Sequence, residues 1–175
     1  MVSIDFFTVP TITMRVLFVL IVLEHDRRKV LHFNVSEHPT GAWTAQQIVE
    51  AFAEREAAQY LIRDRDSRHS AEVQLRIKSL SMQQILTAPR SPWQNPYAER
   101  LIGSIRRECL NHYIILNARH LKRTLSFYFR YYHQSRTHLS LGKQCPFPRE
   151  VLKVGKIVAL PQLGGLHHRY ERIAA

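Results

Sequence analysis

SIDFFTVPTITMRVLFVLIVLEHDRRKVLHFNVS, residues 3–36, holds three strand-like runs separated by short linkers. Residues 3–9 (SIDFFTV) are rich in β-formers and stop at Pro10. Residues 15–23 (RVLFVLIVL) are almost continuously apolar, the pattern of a strand covered on both faces. Residues 29–36 (KVLHFNVS) alternate. Linkers 10–14 and 24–28 are too short for crossover connections, so the three runs are expected to form an antiparallel meander.

Beyond the meander, Thr44 reads as the N-cap of an amphipathic helix that groups Ile48, Val49, Phe52 and Ala53 on one side. Residues 59–63 read as a short strand, 71–80 as a second helix and 82–87 as a fifth strand. A third helix is expected from Asn95, which caps it, with Pro96 at the first helical position. Residues 118–134 form a further helix whose aromatics (Phe127, Tyr128, Phe129, Tyr131, Tyr132) suit core packing. The order βββ-α-β-α-β-α implies a mixed five-stranded α/β sheet with helices on its faces. Residues 1–145 make up this core. Residues 146–175 follow Pro146 and Pro148 as a C-terminal tail, where KIVAL and the Gly164-Gly165 turn suggest a β-hairpin.

Charge is distributed unevenly. Residues 1–88 balance, with ten Lys/Arg against ten Asp/Glu. Residues 89–175 carry fifteen basic and four acidic residues, so the whole net charge of +11 is C-terminal. A polyanionic partner follows, with nucleic acid first. Cys109 and Cys145 form no CxxC, which argues against a disulfide framework or a zinc site of usual spacing. His133 and His138 are not spaced as a standard ligand pair. The apolar run 16–23 is too short to span a bilayer, and Asp5 interrupts any signal-peptide core. A cytoplasmic, reducing setting is expected, with no membrane.

Three acids stand out. Asp5 lies inside a strand that ought to be buried, a costly position for a charge. Asp64 ends the fourth strand, and Glu99 lies just inside the third helix beside Arg100, Arg106 and Arg107. With strands 1 and 4 adjacent, Asp5 and Asp64 meet, and a helix across that edge adds Glu99. Clustered carboxylates stay ionised at neutral pH when a cation lies between them, and hard oxygen ligands suit Mg²⁺ or Mn²⁺. A pair of such ions can activate a hydroxyl and steady a leaving oxygen at a phosphodiester. Each acid alone also has a plain reading: a solvated helix residue, a turn residue, or a strand acid paired with arginine.

The sequence resembles the catalytic cores of DDE integrases and insertion-sequence transposases, of RNase H-like fold, over most of its length. SIDFFTV is similar to the first catalytic strand, LIRDRDSRHS to the second catalytic segment, and APRSPWQNPYAERLIGSIRREC to the block with the catalytic glutamate. YYHQSRTHLSLGKQCP resembles the Tyr-Asn-x-x-Arg-x-His segment and its proline, through Tyr132, Arg136, His138 and Pro146, with His133 in place of Asn. Thirty-four residues lie between Asp64 and Glu99, close to the spacing of the D,D,35,E group.

The resemblance implies that Asp5, Asp64 and Glu99 are catalytic and bind two Mg²⁺ or Mn²⁺ ions. It implies DNA cleavage followed by strand transfer (integration, transposition), on transposon ends and target DNA, by a homo-oligomer in a bacterial cytoplasm, associated with the nucleoid. Arg90, Gln94, Arg100, Arg106, Arg107, Arg136 and His138 are candidate DNA contacts; Arg136 and His138 would otherwise pin the last helix to the core. The chain departs from the pattern at Asp66, where Gly is usual, at His69, where an aromatic is expected, and at Val73 in place of Phe. Met1 stands four residues before Asp5, so N-terminal DNA-recognition modules are expected to be absent. The competing expectation is a DNA-binding remnant of a transposase without catalysis.

Overall fold

The computed structural model describes residues 1–64, 71–150 and 152–173. Strands β1 (Val2–Pro10), β2 (Val16–Glu24) and β3 (Val30–Ser36) form the antiparallel meander, with β1 paired to β2 from Val2↔Glu24 to Pro10↔Val16. Helix α1 (Gly41–Ala51) leads to β4 (Tyr60–Arg63), which lies parallel to β1. Helix α2 (Ala71–Ser79) leads to β5 (Gln83–Leu86), parallel to β4. The sheet order is β3-β2-β1-β4-β5, the mixed five-stranded sheet expected from the sequence.

The first helix begins a turn before Thr44. Thr40 is its cap, accepting from the Trp43 amide at 3.1 Å, while Thr44 is buried inside the helix and its hydroxyl donates to the Thr40 carbonyl at 2.9 Å. Two Thr residues four apart both carry a capping side chain; the one followed by the permissive Gly41 is used.

β2 explains its sequence. Leu17, Val19, Ile21 and Leu23 face one core, and Leu20 and Val22 the other. The first core is completed by α3 (Pro96–Glu108) and α4 (Ala118–Gln134), the second by α1 and α2. Val73 is fully buried in the second core, so the smaller side chain still packs there. Tyr128, Phe129 and Tyr132 are core residues as expected, while Phe127 is exposed. The tail forms the hairpin β6 (Lys156–Gln162) and β7 (His167–Ile173), turning at Gly164 (φ 64°) and Gly165 (φ 96°), positions that suit residues lacking Cβ. Among the described residues, no helix is long and apolar enough to cross a membrane. Both cysteines are free and buried, and burial pushes the Cys109 thiol up to about 12.

Glu108, at the end of α3, joins three segments. Its carboxylate accepts from Arg136 Nε at 2.7 Å and Nη2 at 2.6 Å, and from the Tyr128 hydroxyl at 3.0 Å. Arg136 Nη2 also reaches Ser104 Oγ at 3.3 Å. The Glu108 carbonyl contacts His167 Nε2 at 2.7 Å, and His167 stacks on Tyr131 at 4.5 Å, which seats the hairpin. Burial would raise the Glu108 carboxyl, but the Arg136 hydrogen bonds and charge, helped by Tyr128, hold it below the ordinary 4.5. A depressed carboxyl contributes stability above its unfolded pKa, and that contribution is lost as pH falls through the folded value.

His133, where the resemblance leads one to expect Asn, has a structural task. Its Nε2 accepts from the Val30 amide at 2.9 Å, its ring stacks on Phe147 at 4.8 Å, and its carbonyl accepts from the Phe147 amide at 2.9 Å. Burial, then the charges of Lys29 and His138, push it down to about 4. The unfolded ring takes its proton near 6.5, so stability is lost as pH falls from about 6.5 towards 4.

Glu108→Gln should lower the unfolding free energy at pH 7 by about 2 kcal/mol, the range of charged hydrogen bonds, and the deficit should shrink below pH 4.5. Chemical denaturation at several pH values measures both. The same titration in His133→Asn should show a shallower loss of stability between pH 6.5 and 4 than the parent chain.

Candidate active site

Strand parity decides which face of β1 carries Asp5. Val2 and Ile4 belong to the core under α1 and α2, so Ser3, Asp5, Phe7 and Val9 turn towards α3. The parallel register pairs Ser3 with Ile62. Carried two residues further along both strands, it sets Asp64 beside Asp5, where the chain leaves β4. Glu99 lies in the first turn of α3, at the end of the helix whose dipole favours a negative charge.

All three carboxylates line one cavity of about 360 Å³, together with Thr87, Arg90 and Asn95. Asp5 is half-buried, and its Oδ1 accepts from the Phe6 amide at 2.8 Å. The Asp64 backbone is fixed from below: Arg63, only 3% exposed, donates from Nη1 to the Asp64 carbonyl at 3.0 Å and from Nε to Gln84 at 2.9 Å. Among the described residues, no group of three His, Cys, Asp or Glu is arranged as a ready-made metal cage. The cavity supplies hard anionic oxygens, the donor chemistry that Mg²⁺ or Mn²⁺ takes. Asp66 and His69 lie outside the described residues.

Asn95 departs from expectation. It occupies the cap position of α3 without capping: its Nδ2 donates to Asp5 Oδ2 at 3.4 Å, and its buried Oδ1 has no partner. Pro96 does stand at the first helical position. Gln94 is exposed, and its Oε1 accepts from the Ala88 amide at 2.6 Å, which closes the loop before the helix. Neighbouring Trp93 is 71% exposed.

The basic candidates divide. Arg90 lines the carboxylate cavity. Arg100, Arg106 and Arg107 are exposed on α3, with Arg106 reaching the Thr8 carbonyl at 3.3 Å. Arg136 takes the pinning role through Glu108, and His138 lies against its Nη1 at 3.3 Å. Burial and the Arg136 charge push His138 down to about 4, so it is neutral at pH 7 and offers no charge to a phosphate.

Sequence reasoning missed Arg63, Glu108 and the Asn95–Asp5 contact. Arg63 had a signal: a cation closing the otherwise strand-like run YLIR. Glu108 had none, because its partner is twenty-eight residues away.

Residues 80–146 match the family described as integrase core domain, a segment that carries Glu99, Arg136 and His138. Solved structures agree on the fold. A chain of the simian T-cell lymphotropic virus intasome superposes with a TM-score of 0.68 at 13% identity, covering 98% of this chain and 66% of that one. The HTLV-2 integrase catalytic core domain in complex with magnesium gives 0.64 at 14%, covering 83% and 92%. The catalytic domain of Mos1 mariner transposase gives 0.62 at 16%, covering 74% and 69%. No curated protein matches the sequence. The matched segment thus lies within a fold that these integrase and transposase structures share.

Asn95→Ala should change stability by less than about 1 kcal/mol, because losing the Nδ2 contact is offset by removing a buried carbonyl oxygen that lacks a partner. Denaturant titration of the two chains decides it.

Proposed function

We propose that this chain is a DNA strand-transfer core whose catalytic and metal-binding residues are Asp5, Asp64 and Glu99. The supporting observation is that carboxylates from β1, the end of β4 and α3 line a single cavity with an arginine at its rim. Magnesium or manganese, two ions in this reading, would neutralise these acids and polarise phosphate oxygens. The HTLV-2 core was determined with magnesium, in trimeric and dimeric forms, which supports both metal use and self-association here.

The chain's own residues do the positioning. Asp5 is held in place by its contacts with the Phe6 amide and Asn95, and the Asp64 backbone by Arg63. Gln94 fixes the loop that carries Arg90, placing that guanidinium where it can bind a non-bridging phosphate oxygen. The exposed arginines of α3 neutralise flanking phosphates of transposon ends and target DNA. In cleavage, a water oxygen bonds to phosphorus, the P–O3′ bond breaks, and a 3′-hydroxyl is released. In joining, that 3′-oxygen bonds to a phosphorus of target DNA and loses its proton to solvent, while the P–O3′ bond of the target breaks and the expelled 3′-oxygen takes a proton from solvent. Holding the two reactants in line supplies much of the rate.

That no group of three such ligands among the described residues is arranged to hold a metal favours one rival reading, a chain that binds DNA without cutting it. The two separate cleanly. Nicking and joining of labelled DNA in Mg²⁺ or Mn²⁺ should fall by about a thousandfold or more in Asp64→Asn and in Glu99→Gln, roughly 4 kcal/mol. Either metal should raise the melting temperature of the parent chain and not of Asp64→Asn. Full activity in both variants sinks the assignment. Salt-dependent binding with no cleavage under either metal selects the rival.

A further inference from the structure

A second cavity, of about 290 Å³, is lined from α3 by Tyr97, Arg100, Leu101, Ser104 and Arg107. Arg28, Arg100, Arg107 and Arg136 line it, with Tyr97 and Thr137, and no Asp or Glu is among its lining residues. Arg136 is committed to Glu108. The other three guanidinium groups make no ion pair among the described residues. Among the described residues Arg28 donates to the His25 carbonyl, at 2.6 Å, and its guanidinium lies 3.7 Å from the centre of the Tyr97 ring. Arg107 folds back along its own helix over Gly103, where an added Cβ would come within 3.0 Å of its Nη1. Three like charges around one concavity repel each other unless an anion joins them.

The two cavities are connected. Pro92 and Glu99 line both the carboxylate cavity and a shelf built on Trp93; Tyr97 and Arg100 line both that shelf and the arginine pocket. Exposed aromatic surface followed by converging arginines suits an unpaired nucleic-acid strand, whose bases stack while its phosphates are neutralised.

We propose that Arg28, Arg100 and Arg107 form a phosphate-binding pocket for the strand that runs from the reacting phosphodiester over Trp93. The proposal rests on the nucleic-acid substrate of the function proposed above, and not on its carboxylate chemistry. Binding without metal therefore tests it separately: loss of cleavage would leave this measurement untouched.

The experiment is fluorescence anisotropy of a labelled single-stranded oligonucleotide with the full chain in EDTA, over a range of salt. Three lost phosphate contacts should flatten the slope of log K against log[salt] by about 2, at 0.7 per contact. Arg28→Gln/Arg100→Gln/Arg107→Gln should show this, and the Lys triple should keep nearly the parental slope, which separates charge from folding damage. Trp93→Ala should weaken binding about tenfold with the slope unchanged. Arg76→Gln/Lys78→Gln on α2, across the sheet, should leave the slope unaltered. A Gln triple with the parental slope overturns the proposal. So does a Gln triple that loses binding of pyrophosphate, followed by calorimetry, while the oligonucleotide slope stays put: the pocket would then serve a free phosphate compound.

Discussion

A carboxylate on the central strand of a sheet constrains everything around it. Asp5 lies between Ile4, fully buried, and Phe7, 5% exposed, on a strand with partners along both edges. An ionised side chain there is tolerable only where its face of the sheet opens. The opening exists because β4 is short: the parallel pairing with β1 ends at Ile62, and the chain departs at Asp64. A longer β4 would extend the ladder past Asp5 and close the cavity. The four-residue strand and the half-buried acid are thus two sides of one requirement.

The second requirement is that α3 keep its place, since it carries one wall of each cavity. Apolar contact fixes its buried stripe of Ala98, Leu101, Ile102 and Ile105. Rotation about that stripe is opposed at the far end by Glu108, held by Arg136 and Tyr128. Because Arg136 follows α4, the pair also fixes the angle between the two helices. A charged pair is geometrically stricter than apolar packing, and a bidentate guanidinium is the strictest form of it.

Much of this is readable in the residues. The meander follows from linker length and from the apolar run of β2, whose alternate residues fill two cores. The α4 boundaries, 118–134, emerge unchanged because its amphipathic stripe is strong and Asn117 caps it. Errors arise where chemistry can be used twice. Thr40 and Thr44 can both cap, and only packing selects. Asn95 has the right residue type and position for a cap, yet its amide is drawn to Asp5, a contact across ninety residues. For Arg136 and His138 the residues leave two uses open, phosphate contact or pinning, and the Glu108 contact that holds Arg136 depends on tertiary neighbours that no local pattern encodes.

The charges of α3 show why its acid and its bases do not cancel. Helical neighbours stand three or four residues apart. Around Glu99 those positions hold Asn95, Pro96, Ile102 and Gly103; around Arg100 they hold Pro96, Tyr97, Gly103 and Ser104. Arg107 has Gly103, Ser104, Leu110 and Asn111. No position offers an opposite charge, although Glu99 and Arg100 are adjacent in sequence, because adjacent residues point about 100° apart on a helix. An arginine at position 103 would reach Glu99 and neutralise it as an ordinary surface ion pair. Glycine there does the opposite: it leaves the carboxylate facing its cavity and gives Arg107 room to fold towards the other one. The helix thereby separates an acidic lining from a basic one within a few residues, and neither cancels the other.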